Sequence, residues 1–518
     1  MRANIALCVL LSATASCHGA IKPPDPPSNT ASGAGTQGAE AKKPGYVRMP
    51  VSRHVFNGTG KWPGGWHWTP PSGGPSGPGG GPRPSWPPSQ SGYPWSSPPG
   101  QPSGPGRPPF TQPSSSLSSS LSSTGPKASP TSVQSASALS TISAQPSPQR
   151  RAQADRRWGW EHLEDLGGIA YILQLEIGTP PQKIKVFIDT GSYELWVNPK
   201  CTTSADANLC QSYGNYYPKK SNSSFFVGGD FAITYGTGAV KGSYYSDIMS
   251  IAMFQIPSVQ FAVANDSNYT FAGILGLGYS YPYSINYPSL LNLMVSAKMI
   301  SAPIFSIGLG GEQDGFSEII FGGINRWKFA GPLEPVSIWP PISQQDPHWI
   351  QYWINVTSVG LTRPNANPVV YTPRDTFTMP TLIDTGSTLS YIREDLVAQI
   401  GQQFQATVDA AGNYIVDCAY RTQNGTVDFG FNRGRMVINV RYKDFIYQQY
   451  PGHCMLGVQP ADVGSTNYVL GDTFIRGAYL VFDQQSDVIW MNQYYNCGDG
   501  VVSVGLTARD TKNVVGAC

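Results

Sequence analysis

The sequence predicts a mostly-β protein with two similar lobes, and three observations lead there. Short runs of period-two alternation recur from about residue 160 onward, separated by Gly, Asn and Ser turns, with few helix signals. The tetrapeptide Asp-Thr-Gly-Ser occurs twice, at Asp189 and at Asp384, 195 residues apart. Each copy is followed 87 residues later by a glycine closing an apolar pair, Ile274-Leu275-Gly276 and Val469-Leu470-Gly471. Equal spacing inside two copies implies two lobes related by approximate two-fold symmetry, with an apolar strand packed beside each Asp-bearing turn.

The elements follow in chain order. Residues 1–20 read as a signal peptide: Arg2, the apolar stretch Ile5–Leu11, then the small-x-small site Ala13-Thr14-Ala15, with a cut near Ala20 as an alternative. That run is too short to span a membrane, and no other long apolar run follows it. Residues 21–157 read as a leader. Within it, GYVRMPVSRHVF (45–56) alternates apolar and basic residues like a short strand. Residues 58–149 are Pro-, Gly- and Ser-rich, a composition that buries too little apolar surface to order a chain. Five tryptophans in that stretch (62, 66, 68, 86 and 95) are unusual for a linker. Two dibasic pairs, Arg150-Arg151 and Arg156-Arg157, stand at the composition boundary and suit a processing protease. From Trp158 the chain reads as globular, with lobes at 158–335 and 336–518. Tyr171–Gly178 and Lys183–Asp189 are strands joined by the turn Gly178-Thr179-Pro180-Pro181. Helices are expected at Pro288–Ile300, capped near Asn286 or Tyr287, and at Arg393–Phe404.

Charge is unevenly distributed. The net formal charge is +2, but residues 1–157 hold 14 basic and 3 acidic residues, against 20 and 29 in the remainder. A basic leader can shield an acidic body until it is cut away. No basic cluster with interleaved aromatics suggests nucleic-acid binding. Two of the eight cysteines, Cys8 and Cys17, lie in or beside the signal. The other six suit three disulfides in a secreted chain, and neighbour pairing gives Cys201–Cys210, Cys418–Cys454 and Cys497–Cys518 among fifteen connectivities. No metal-ligand spacing is present, so no metal or other cofactor is expected. Sequons at Asn57, Asn222, Asn265, Asn268, Asn355 and Asn424 agree with a secretory route.

The chemistry lies in the repeat. Asp189 follows the apolar run Val186, Phe187, Ile188, where a carboxylate is costly unless something pairs with it or uses it. A second carboxylate a few ångströms away answers this: the two share one proton, and such a pair can take a proton from a water with one member and hydrogen-bond a carbonyl with the other. The glycines after each Asp-Thr allow a tight turn. His348 and His453 have no local signature of another catalytic arrangement.

IGTPPQ, FIDTGSYELWV, ITYGTGAVKG, GILGLGY, LIDTGSTLSYI and VLGDTFIRGAYLVFD together resemble the pepsin-family aspartic proteases, most closely the secreted fungal members. The resemblance implies a bilobal pepsin-like fold of two β-barrel-like lobes with the active-site cleft between them. It implies Asp189 and Asp384 as the catalytic pair. Thr190, Gly191, Ser192, Thr385, Gly386 and Ser387 would support the two loops, the threonines bonding across them. Tyr235, Gly236 and Thr237 would form the tip of a substrate-covering flap, with Trp196 supporting the Tyr235 hydroxyl and Thr388 beside the substrate. Tyr193 stands where many relatives carry a second Ser, and Thr237 where some carry Asp, which argues for apolar residues at the cut. Residues 45–54 resemble the basic pro-segment motif, and the long Pro/Ser-rich insert departs from typical members. The implied protein is a monomeric, secreted acid endopeptidase made as a zymogen, acting on protein or peptide substrates and blocked by statine-type inhibitors. Its expected location is extracellular, with the cell wall or vacuole as alternatives. The rival readings are an inactive pepsin-fold binding protein and a cell-wall-associated protein.

Overall fold

The computed structural model describes residues 47–53 and most of 163–518; positions 167, 205, 236–237, 252–253, 281–282, 312–315, 341–349, 374, 463–464 and 506–507 fall outside the described residues. The expected signal peptide, the low-complexity stretch, both dibasic pairs, Asn57, Gly236, Thr237 and His348 also lie outside them.

Eleven of the described strands in the first half share one large sheet: β1 (Val47–Arg53), β2 (Leu163–Asp165), β3 (Tyr171–Ile177), β4 (Gln182–Asp189), β5 (Leu195–Val197), β6 (Phe225–Thr234), β7 (Ala239–Ile251), β8 (Phe254–Asn268), β9 (Gly273–Gly276), β10 (Ile304–Gly308) and β11 (Phe316–Phe321). They join three later strands, Glu334–Ser337, Ala478–Asp483 and Val488–Gln493, in one fourteen-stranded sheet. Its order runs from Glu334–Ser337 through Val488–Gln493, Ala478–Asp483, β10, β11, β1, β2, β3, β4, β9, β5, β8 and β7 to β6. An eight-stranded sheet in the second half is built around Trp353–Thr362, Met379–Ile383 and Tyr468–Leu470.

Side-chain alternation explains β3: Leu173, Leu175 and Ile177 are buried, with Gln174 and Glu176 between them on the partly exposed face. In β4 the alternation gives way to the fully buried run Val186–Asp189, because this end of the strand passes between packed layers. The second-half strand Met379–Ile383 reaches Asp384 in the same way, with Leu382 and Ile383 buried.

Two helices were expected and both are present. The first spans Leu290–Ser296, and its cap is Ser289 rather than Asn286 or Tyr287. The Ser289 hydroxyl accepts the Asn292 N–H at 3.3 Å, while the Asn292 side chain accepts the Ser289 N–H at 3.2 Å. This reciprocal box satisfies two otherwise orphaned donors and sets the start of the helix. The second helix, Glu394–Gln403, buries Leu396, Val397, Ile400 and Gly401 along one stripe and carries Glu394 and Asp395 in its first turn, where the helix dipole favours negative charge. The disulfides are Cys201–Cys210, Cys418–Cys454 and Cys497–Cys518, with Cα separations of 5.4, 5.3 and 5.6 Å. No described helix is long and apolar enough to cross a membrane.

Candidate active site

Two parallel strand pairs put the aspartates in place. β4 runs alongside β9 with Asp189 opposite Gly276, and Met379–Ile383 runs alongside Tyr468–Leu470 with Ile383 opposite Leu470. The 87-residue offset is thus a register: each apolar-apolar-Gly strand lies beside the strand that ends at an Asp. The Leu277 N–H donates to the Asp189 carbonyl at 2.7 Å, and the Asp384 N–H donates to the Leu470 carbonyl at 3.1 Å.

The two turns interlock. The Thr190 hydroxyl donates to the Ile383 carbonyl at 2.8 Å and accepts the Thr385 N–H at 3.0 Å. In return, the Thr385 hydroxyl donates to the Ile188 carbonyl at 3.0 Å and accepts the Thr190 N–H at 3.1 Å. All four bonds are buried, so breaking one strands a desolvated polar group. The carboxyls are held alike: Gly191 N–H and Gly386 N–H each donate to the first oxygen of their own aspartate at 2.8 Å. The Ser192 hydroxyl donates to the second oxygen of Asp189, and the Ser387 hydroxyl to that of Asp384 at 2.9 Å. A methyl group on Gly191 would lie 2.5 Å from Asp384 Oδ1, and one on Gly386 would lie 2.6 Å from Asp189 Oδ1. Each glycine faces the opposite carboxylate, so the two acids meet across the loops and no larger residue fits between them.

Both aspartates are buried. Burial raises the proton affinity of Asp189, opposed by its hydrogen bonds to Ser192, Asp384 and the loop N–H groups. Burial raises Asp384 well above the ordinary carboxylate range, and the charge on Asp189 adds to it. The two acids therefore titrate as a pair, with the stronger hold on a proton at Asp384.

Tyr235 lies at the turn of the hairpin formed by β6 and β7, with its N–H donating to the Gly238 carbonyl at 2.7 Å. Its hydroxyl accepts the Trp196 indole N–H at 2.8 Å and lies close enough to Asp189 for that charge to raise its proton affinity, second to burial. Thr388 is buried, and its hydroxyl donates to the Ile169 carbonyl at 2.6 Å. Tyr193 is buried against Ile285 and Tyr287. Among the sequons, Asn222, Asn265, Asn268 and Asn424 are exposed, while Asn355 is half-buried in a central strand.

Two side chains beside the site escaped sequence reading. Gln351 is buried and donates from its amide to the Gly191 carbonyl at 2.8 Å, and only the folded chain brings it there. Glu194 is almost fully buried behind the Asp189 loop. The signal that exposed Asp189, a carboxylate in an apolar run, was present for Glu194 between Tyr193 and Leu195.

Two mirrored strand-turn units carrying coupled, buried aspartates under a hairpin define an aspartic-type endopeptidase of pepsin-like fold. Over residues 170–494 the chain matches the family described as eukaryotic aspartyl protease, and it belongs to that family. It is 28% identical over 355 residues to a probable aspartic-type endopeptidase, opsB, of Aspergillus fumigatus, covering 65% of this chain and 71% of the relative. It is 30% identical over 339 residues to aspartic proteinase yapsin-3 of Saccharomyces cerevisiae, covering 60% and 64%. It is likewise 30% identical over 339 residues to candidapepsin-3 of Candida albicans, covering 63% and 79%. The crystal structure of an aspartic proteinase from Irpex lacteus superposes with a TM-score of 0.51 at 20% identity, covering 67% of this chain and 97% of that one, and shares its fold.

Proposed function

We propose that the chain is a secreted acid endopeptidase made as an inactive precursor, with Asp189 and Asp384 as its catalytic pair. The single observation that carries the reading is the facing of two buried carboxyls across threonine-locked loops. Asp189, ionised, takes a proton from a water as the water oxygen attacks the scissile carbonyl carbon. Asp384 gives its proton to the carbonyl oxygen. The tetrahedral intermediate then collapses with breakage of the C–N bond: the proton held on Asp189 passes to the leaving nitrogen, and one hydroxyl of the diol returns its proton to Asp384. Acid conditions keep the shared proton in place, so the working range is acidic.

Tyr235, Gly236 and Thr237 form the tip of the substrate-covering hairpin under this reading. The apolar cluster of Ile172, Phe187, Phe231, Tyr235 and Phe271 supports a preference for apolar residues at the cut. The leader at 21–157 follows a signal at 1–20 and is cut at Arg150-Arg151 or Arg156-Arg157. Its excess of basic residues, set against an acidic remainder, supports masking by charge that weakens as carboxylates protonate. The exposed sequons are the candidate glycan sites. Secretion supports an extracellular location.

The test is casein digestion at about pH 4, with and without a statine inhibitor, by the wild type, Asp189→Asn and Asp384→Asn. The wild type digests casein and is inhibited, and each variant loses at least about a thousandfold in rate while remaining folded. Undiminished activity in either variant would falsify the pairing.

A further inference from the structure

Glu194 has no part in the chemistry above, yet its setting is built around it. The residue sits five positions after Asp189, at the exit of the same loop, and its carbonyl accepts the Gly276 N–H at 2.9 Å. Its side chain is 1% exposed. One carboxyl oxygen accepts the Tyr244 hydroxyl at 2.9 Å, and the other accepts the Tyr287 hydroxyl. Tyr244 lies on β7, one leg of the hairpin over the aspartates, and its ring meets Phe231 of the other leg edge-on at 5.7 Å. Tyr287 lies just before the Leu290–Ser296 helix and meets the Tyr244 ring edge-on, also at 5.7 Å. Three separate parts of the chain therefore converge on one carboxyl: the catalytic loop, the hairpin and the segment leading to the helix.

We propose that the Glu194 carboxyl is a positioning group for the hairpin, tying strand β7 to the loop that carries Asp189. The tie depends on charge. The titratable groups facing Glu194 are Tyr244 on β7, Tyr287 before the helix and Tyr235 at the hairpin tip, which feels the charges of both Asp189 and Glu194. Burial pushes Glu194 up to about 7, against the pull of the two hydroxyls. In acid the carboxyl is neutral and sits comfortably among the rings. Near neutrality it must either hold a charge among them or break away toward water, and either course loosens the hairpin.

The direction of the pH effect follows from linkage. Unfolded, Glu194 titrates near 4.3; folded, it keeps its proton to about 7. Its stabilising effect is full below the unfolded value and is lost as pH rises through the folded one. Glu194→Gln stays neutral throughout, with an amide of nearly the same shape. Melting is measured from pH 4 to pH 8 for both proteins, alongside the pH profile of kcat/KM. The two melt within a few degrees of each other at about pH 4, and by about pH 7.5 the wild type has lost roughly 4 °C relative to Glu194→Gln. The alkaline limb of kcat/KM moves up by about half a pH unit or more in Glu194→Gln, mainly through KM. Parallel melting curves would overturn the titration. Diverging melting curves with an unmoved kcat/KM limb would make Glu194 a structural group only and overturn its positioning role. The activity arm rests on the acid-protease reading, but the melting arm does not. A wild type without proteolysis therefore sinks that reading while the melting curves still decide whether Glu194 titrates as stated.

Discussion

At the scale of single residues, Gly191 and Gly386 impose the strictest demand. The space where a methyl group would go is already occupied by the opposite carboxyl, at 2.5 and 2.6 Å. Gly191→Ala must push Asp384 or its own loop aside, which parts the acids without removing either. A displacement of about 1 Å at reacting groups costs on the order of a hundredfold in rate. Gly191→Ala is therefore expected to lose about a hundredfold or more in kcat/KM while its melting temperature falls by only a few degrees. Rates near wild type in a folded Gly191→Ala protein would show that the loops have room the geometry denies. Asp189 and Asp384 were legible because a carboxylate in an apolar run is costly and its twin lay at a matching offset. Glu194 carried the first of those signals but had no twin, and Gln351 carried neither. The meaning of both comes from partners far away in sequence, Tyr244 and Tyr287 for one and the Gly191 carbonyl for the other.

At the scale of elements, the hairpin of β6 and β7 joins the rest of the molecule unevenly. β7 pairs along most of its length with β8, whereas β6 is the last strand of the sheet. Its turn is held from beneath by the Trp196 indole, which reaches the Tyr235 hydroxyl at 2.8 Å. Trp196→Phe and Tyr235→Phe both delete that bond, and a buried hydrogen bond contributes about 1 kcal/mol net. Each is expected to raise KM about fivefold, and the double variant little further, because both remove the same interaction. KM values that multiply in the double variant would mean that the two residues act independently. The strands β3 and β4 were readable from period-two alternation, since half-buried strands display it. The cap of the first helix was misplaced because Asn286, three residues earlier, has the same intrinsic capping preference as Ser289. The Asn292 side chain that completes the box decides between them.

At the scale of the whole molecule, β1 is the element with the largest consequence. It lies inside the fourteen-stranded sheet, between β11 and β2, rather than at an edge. It is antiparallel to β11 across six residue pairs and parallel to β2 across three. Cutting after Arg157, the later of the two proposed sites, leaves five residues, 158–162, ahead of β2. A strand that restores the pairing of β1 in its own direction runs parallel to β2, and a parallel connection needs a crossover of about a dozen residues or more. Five residues cannot provide both strand and crossover, and folded back as a hairpin they leave about three for a strand against the six pairs that β1 makes with β11, so the new N-terminus cannot restore the pairing of β1. Losing β1 would open the sheet between β11 and β2 and strand the inner backbone groups of both. Cleavage is therefore expected to cut the leader without releasing Val47–Arg53, which stays as a small basic chain held by sheet pairing. No disulfide tethers it, because the six cysteines of the body are paired among themselves. Mass spectrometry and N-terminal sequencing of the active, secreted protein are expected to find two chains. One begins near Trp158 and the other contains Val47–Arg53; they co-elute in native buffer and separate in denaturant. Fully active protein consisting of one chain that begins near Trp158, with no accompanying peptide, would show that the sheet closes without β1.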